Sequence, residues 1–264
     1  RRTGHAGTLD PLATGVLVLA VGKATRLLEY VTSSDKEYLA RLRLGITTDT
    51  YDTQGQVISR QPPPSHLTRA RLETILNTLC GEIEQVPPIY SAIKIGGKSA
   101  HRRARAGEAI KLQPRYITIR ELTLEKFAPP DLLLHIKCSA GTYIRSLAHD
   151  LGQKLGCGAV LSGLERIASG QFHISHAVSW STLQTAFENG SWEQYLIPPD
   201  LALHDTPGIH VSVEGQKRIG AGKPYPAPDV QTGLARAYAP DGRFIAILEG
   251  DPEGGVWRPK KVFI

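Results

Sequence analysis

From Glu37 to Gly45 apolar Tyr38, Ala40, Leu42 and Leu44 alternate with polar Glu37, Arg41 and Arg43, the period of a strand with one buried face. Tyr38 is therefore expected to point inward. The same alternation returns in Tyr116 to Leu124 and in Leu132 to Cys138, separated by Pro129-Pro130-Asp131, which predicts two antiparallel neighbours joined by a turn. Val16 to Val21 is a short β-branched run bounded by glycines and reads as a buried strand.

Helical spacing appears elsewhere. Leu27, Leu28 and Val31 share one face of Lys23 to Val31. Leu72, Ile75, Leu76 and Leu79 share another, with Ser65 or Thr68 as cap and Gly81 as stop signal. Leu147, Leu151 and Leu155 follow Gly141, and Ser179 to Glu188 also reads as helix. Ala159 to Gly170 reads as a short apolar segment with a turn. From about Thr206 the texture changes to short strands, Ile209 to Val213, Leu234 to Tyr238, Phe244 to Glu249 and Lys261 to Ile264, broken by Gly, Pro and Asp. The pattern predicts an α+β domain around a mainly antiparallel sheet over residues 1–204, and a small β-rich module over residues 205–264.

A chain of 264 residues can bury a sizeable core in such a domain. Its formal net charge of +6 favours a polyanionic partner, although a merely soluble basic protein has the same balance. Cys80, Cys138 and Cys157 are widely spaced and form no C-x-x-C pair, which argues against a disulfide framework or zinc site and fits a reducing cytoplasm. No apolar run has the length to span a bilayer. The sequence carries no P-loop, dinucleotide fingerprint or metal-ligand cluster. It lacks an initiator Met and begins inside a motif, which suggests that residues before Arg1 are missing.

The candidate chemistry starts in the opening loop. Gly4, Gly7, Pro11 and Gly15 punctuate it too densely for a helix or strand to run through. Asp10 precedes Pro11 and is biased to an extended conformation. Alone, it reads first as a turn residue or an N-cap and only second as a carboxylate fixed for chemistry. Arg145 falls in the first turn of a predicted helix, where the helix dipole disfavours a cation, so its partner should come from elsewhere in the fold. His101, Arg102, Arg103 and Arg105 crowd a short predicted helical span and form either a solvated face or a phosphate contact.

The opening stretch GHAGTLDPLATGVLVLAVGKATRLLEY resembles, nearly residue for residue, the signature loop of TruB-type tRNA pseudouridine synthases. Lys36-Glu-Tyr38, Thr47-Thr-Asp-Thr50, Pro88-Ile-Tyr-Ser-Ala-Ile-Lys94, Ala104-Arg105, Cys138 to Arg145 and Leu155-Gly-Cys-Gly-Ala159 resemble further segments of that family, in its order. The similarity covers roughly residues 1–170. Val213 to Pro224, with Arg218 and Lys223, looks more loosely like the PUA-like RNA-binding modules attached to these enzymes.

The resemblance implies a cofactor-free isomerisation of the T-loop uridine of tRNA, position 55, to pseudouridine. It implies a cytoplasmic protein with no obligatory protein partner, acting on the tRNA T-arm stem-loop. It makes Asp10 the catalytic aspartate, Tyr38 the tyrosine against the target base and Arg145 the arginine that pairs with Asp10, keeping it ionised and oriented. His5, Tyr143 and Leu164 correspond to substrate contacts. On this reading the charges of Lys94, Arg102, Arg103 and Arg105, with Arg218 and Lys223 of the C-terminal module, are expected to supply RNA-phosphate contacts. By chemistry alone, Tyr38, Tyr143 and Leu164 also read as core residues, His5 as a loop histidine and Arg145 as a surface cation.

The chain departs from the family in three places. The opening segment with its Asp-Lys-Pro and Thr-Ser signature is absent. The usual arginine pair reads Leu164-Glu-Arg166, with a carboxylate where a phosphate contact is expected. Ala100-His-Arg-Arg-Ala-Arg105 lacks the usual tyrosines. A tRNA-binding or tRNA-folding protein with secondary or lost catalysis is one competing reading, and a related synthase subunit that needs a guide RNA and partner proteins is another.

Overall fold

The computed structural model describes residues 2–91, 94–95, 98–99 and 112–264. The chain divides into two compact units, one of Gly7–Val18 and Thr32–Ala177, the other of the opening residues through Ala6 with Leu19–Val31 and Val178–Ile264. The boundary expected after residue 204 lies inside the second unit.

The first unit is built on a seven-stranded sheet. Its central strand, Lys36–Leu44, buries Tyr38, Ala40, Leu42 and Leu44 and exposes Arg41 and Arg43, as its alternation predicts. Asp131–Cys138 pairs antiparallel with one edge of the central strand, and Arg115–Ala128 pairs antiparallel beyond it, the two joined through the expected Pro-Pro turn. Gly81–Gln85 closes that side. Ala159–Ser169 pairs antiparallel with the other edge and carries Ala13–Gly15 in parallel register.

Two helices cover the core. Arg69–Asn77 is capped by Thr68, whose hydroxyl accepts from the Arg71 amide, and it buries Leu72 and Leu76. Ile144–Leu155 buries Ile144, Leu147, Ala148, Leu151 and Leu155 and stops at Gly156 in the left-handed region. Gly152 lets this helix press on the chain after it, since a Cβ there would lie 2.0 Å from the Ala159 nitrogen.

Several sequence expectations need correction. Ala159–Ser169 is one continuous 11-residue strand rather than a short segment with a turn. Its burial alternates only from Leu164 to Ala168, where charged Arg166 is buried and apolar Ile167 less so, while Ala159 to Leu161 are buried in a row, so the residue types show no clean alternation. Val16 to Val21 is not a buried strand. Ala13–Gly15 and Leu19–Val21 are separate three-residue strands, and Leu17, Leu19 and Val21 are exposed at 42, 57 and 40%. Among the described residues Leu19–Val21 pairs only with Thr3–His5, and a two-stranded ribbon leaves side chains in water. Lys23 to Val31 splits into a 3₁₀ turn, Gly22–Leu27, and a short helix, Leu28–Ser33, with Leu27 and Val31 buried. The helical span expected around Arg102 lies outside the described residues.

The second unit carries a five-stranded sheet in the order Gly208–His210, Gly233–Tyr238, Phe244–Asp251, Val256–Val262, Tyr225–Pro226. Only the first pair is parallel. Ser212 caps the helix Val213–Gly220, so the expected strand Ile209 to Val213 ends at His210. The last strand lies earlier than Lys261 to Ile264 because Pro259 and three cations mask its alternation. Val211, Ile219, Ala235, Ala237, Ile245, Leu248 and Trp257 form its core.

Candidate active site

Asp10 and Arg145 are 135 residues apart in sequence and meet side chain to side chain. Arg145 Nε donates to Asp10 Oδ2 at 2.9 Å and Nη2 donates to Oδ1 at 3.1 Å. This parallel two-bond grip fixes a carboxylate in plane as well as in place. The Arg145 side chain is sealed at 8% exposure, whereas the Asp10 side chain keeps 34%. The fixed carboxylate thus keeps contact with solvent.

Arg145 is held in turn by the protein. Nη1 donates to the Thr50 carbonyl at 3.3 Å and stands 3.7 Å from Asp52 Oδ2, and Nη2 donates to the Tyr90 carbonyl at 3.2 Å. Asp52 is 5% exposed, and its other oxygen accepts from Thr50 Oγ1 at 2.7 Å and the Gln54 amide at 3.0 Å. The cation that the helix dipole disfavours finds its partners outside its own helix. That helix start is also bracketed from the sheet edge. The Gln85 side chain accepts from the Tyr143 amide at 2.8 Å and donates to the Tyr143 carbonyl at 3.1 Å.

The Asp10 loop is tied down at both ends by one residue. Arg166, 2% exposed, donates from Nε to the Val16 carbonyl at 2.7 Å and from Nη2 to the Gly7 carbonyl at 3.2 Å. Its own carbonyl accepts from the Val16 amide at 2.8 Å. Inside the loop the Asp10 carbonyl accepts from the Ala13 amide at 2.8 Å, closing a turn around Pro11.

Tyr38 lies opposite Arg166 and Ile136 in the sheet. Burial pushes its phenol up to about 12, the Cys138 thiol adds to this, and Arg166 opposes both. The Asp10 carboxylate also acts on that phenol, so Tyr38 belongs to the same electrostatic environment as Asp10 and Arg145. Leu164 is buried and pairs with Ala13 and with Ala40, between the Asp10 loop and the central strand. Tyr143 is half-buried at the start of the Arg145 helix.

The other expected residues belong to the second unit, to a two-residue strand, or to positions outside the described residues. His5 is exposed on Thr3–His5 in the second unit. Arg218 donates to the Pro224 carbonyl at 3.1 Å at the end of a helix of that unit, and Lys223 is exposed beside it. Lys94 opens a two-residue strand paired with Lys98–Ser99. Arg102, Arg103 and Arg105 lie outside the described residues. Among the described residues no group of His, Cys, Asp and Glu is arranged to hold a metal, and no helix is long and apolar enough to cross a membrane.

Asp52, Gln85 and Arg166 are the residues that sequence reasoning missed. Asp52 sits beside Gly55 in a polar turn and does serve that turn with one oxygen; nothing in sequence reveals that the other faces Arg145. The Leu164-Glu-Arg166 departure was the one signal for Arg166.

The architecture matches solved structures over the whole chain. A chain of a Cbf5-Nop10-Gar1 complex aligns with TM-score 0.75 at 23% identity, covering 100% of this chain and 77% of that one. A chain in a structure of an H/ACA RNP bound to a substrate RNA containing 2'-deoxyuridine aligns with TM-score 0.74 at 22% identity, with the same coverage. The fold is thus a pseudouridine synthase-like α+β domain with a small PUA-like β domain. In sequence, residues 1–144 match the family described as TruB family pseudouridylate synthase (N terminal domain), and residues 145–204 match the tRNA pseudouridylate synthase B C-terminal domain. The tRNA pseudouridine synthase B of Dehalococcoides mccartyi strain BAV1 is 40% identical over 100% of this chain and 88% of its own. The tRNA pseudouridine synthase B of Syntrophotalea carbinolica is 42% identical over 85% of this chain and 72% of its own. The chain belongs to the TruB family of pseudouridylate synthases.

Proposed function

We propose that this protein isomerises the T-loop uridine of tRNA to pseudouridine, with Asp10 as the catalytic carboxylate. The observation that supports this most directly is the two-bond pair of Asp10 with a buried arginine, which leaves the carboxylate reachable. The reaction breaks the C1′–N1 bond, turns the uracil, joins C5 to C1′, releases the C5 proton and places a proton on N1. Substrate and product are isomers, so the chemistry calls for no cofactor.

A fixed carboxylate has two routes into this reaction. It adds as nucleophile at C1′ or C6, or it stabilises charge during glycosidic cleavage and removes a proton. Arg145 orients it in either. The target base must leave its stack, which costs roughly a few kcal/mol and less in a loop than in a duplex. Tyr38 stacks on the extruded uracil, Leu164 and Tyr143 bound the pocket, and His5 fills the vacated place. Lys94, Arg102, Arg103 and Arg105, with Arg218 and Lys223 of a C-terminal RNA-binding module over residues 205–264, supply salt-dependent phosphate contacts to the T-arm. We place the protein in the cytoplasm, acting without an obligatory protein partner.

The test is tritium release from a T-arm hairpin labelled at uracil C5, because that hydrogen leaves when C5 bonds to C1′. Release that disappears with Asp10→Ala establishes the reaction and the residue. Tight RNA binding without release from the intact chain would favour a binding or folding role instead.

A further inference from the structure

Tyr51 is the one non-glycine residue with positive φ among the described residues, at 63°, a conformation uncommon for an aromatic side chain. An outlier of this kind persists only where its surroundings hold it, and it points toward function. Three contacts hold Tyr51. Its carbonyl accepts from the Leu161 amide at 3.0 Å, and the Thr53 amide donates to the Leu161 carbonyl at 3.0 Å, so the Ala159–Ser169 strand pins the chain on both sides of Asp52. Its ring stacks on His149, with centroids 4.0 Å apart and planes 15° apart.

The position of that stack matters. Tyr51 stands between the two residues that hold Arg145 from this side, Thr50 through its carbonyl and Asp52 through its carboxylate. His149 is four residues after Arg145 on the same helix, hence on the same face one turn along. The turn is therefore fastened to the helix at two adjacent points, polar at Arg145 and aromatic at His149. The imidazole has no hydrogen bond at Nδ1, which is buried. Burial holds the imidazole below its ordinary pKa, so the stack is made by an uncharged ring.

We infer that the Tyr51–His149 stack is a positioning device: it sets the distance between the Thr50–Asp52 turn and the Arg145 helix, and through Arg145 the orientation of Asp10. The consequence for catalysis rests on the roles proposed above for Asp10 and Arg145; the consequence for Arg145 itself does not.

The test compares Tyr51→Gly, which accepts the positive φ but removes the ring, with Tyr51→Phe, His149→Ala and the double variant Tyr51→Gly/His149→Ala. Three quantities are read on the full chain: single-turnover tritium release, T-arm RNA affinity, and solvent exchange of the Arg145 Nε–H by NMR, assigned by its loss in Arg145→Lys. Losing one aromatic pair should slow turnover about three- to tenfold. The double variant should be no slower than either single one, RNA affinity should hold, Tyr51→Phe should keep the rate, and Nε–H exchange should quicken wherever the stack is lost. A lower melting temperature with unchanged rate and unchanged exchange would make the stack a purely structural contact and overturn the inference. If the unaltered protein releases no tritium from any tRNA, the catalytic reading falls, and the exchange measurement alone decides whether Tyr51 and His149 position Arg145.

Discussion

Gly15 lies flat against the backbone of Arg166: a Cβ at Gly15 would stand 2.3 Å from the Arg166 carbonyl oxygen and 2.8 Å from its nitrogen. Gly15 also has φ of +97°. This approach lets Arg166 reach past it to Val16 and Gly7 and hold both ends of the Asp10 loop.

Gly15→Ala should therefore damage stability and chemistry together. The dihedral alone costs a side chain on the order of 1–3 kcal/mol, and the overlap is with backbone, which cannot swing away. Thermal denaturation should show a lowered midpoint, and tritium release should fall even at temperatures where the variant is folded.

Arg166→Lys separates loop positioning from RNA contact. Lysine keeps the charge but loses the planar fork that serves two carbonyls at once. The lost charged hydrogen bonds should cost about 1.5–3 kcal/mol of stability, and single-turnover release should slow at least about tenfold. RNA affinity should stay within about twofold, because a side chain 2% exposed cannot reach a phosphate. Weakened RNA binding at an unchanged rate would return Arg166 to the surface role its position in the motif suggests.

Part of this site is legible in the sequence. Tyr38 could be placed inward because its strand has one solvated face, and that asymmetry writes itself into the alternation of Ala40, Arg41, Leu42 and Arg43. Arg145 could be marked as needing a remote partner because a cation at a helix start is locally disfavoured. Ala159–Ser169 alternates in burial from Leu164 to Ala168, but charged Arg166 takes a buried position while apolar Ile167 takes a less buried one, so the residue types hide the alternation; the inward aim of Arg166 follows from neighbours far away in sequence. Asp52 was hidden for another reason: its two oxygens do different work, one for the local turn and one for Arg145. The split of the opening motif between two units could not be read from a contiguous match, since similarity along the chain says nothing of which residues pack together.

Asp10→Asn and Arg145→Lys probe the central pair from its two sides. Asparagine keeps the size of the side chain but removes the nucleophilic or basic oxygen, so tritium release should fall by at least about three orders of magnitude, with RNA binding retained. Lysine at 145 cannot grip both Asp10 oxygens, and release should fall about a hundredfold. Equal, small effects from both changes would mean that the chemistry lies elsewhere in the site.

The helix carrying Arg145 also bears two neighbouring groups whose charged forms burial disfavours, with opposite pH consequences. Burial pushes the Asp150 carboxyl up to about 6, partly offset by Lys154, and holds the His149 imidazole below its ordinary value. The folded state therefore keeps the Asp150 proton after the unfolded state has lost it. Its contribution to stability declines as pH rises from the ordinary carboxylate range to about 6. For His149 the unfolded state takes up a proton first, so its contribution declines as pH falls through the ordinary histidine value. Asp150→Asn should gain stability over the unaltered protein at pH 7, and the gain should vanish by about pH 4. His149→Gln loses the stack at every pH, and its deficit should shrink as the medium turns acidic. Denaturant titrations of the three proteins between pH 4 and pH 8 read these differences directly, and the background of other carboxylates cancels in each subtraction. Parallel curves for all three would mean that both side chains are solvated enough to titrate normally.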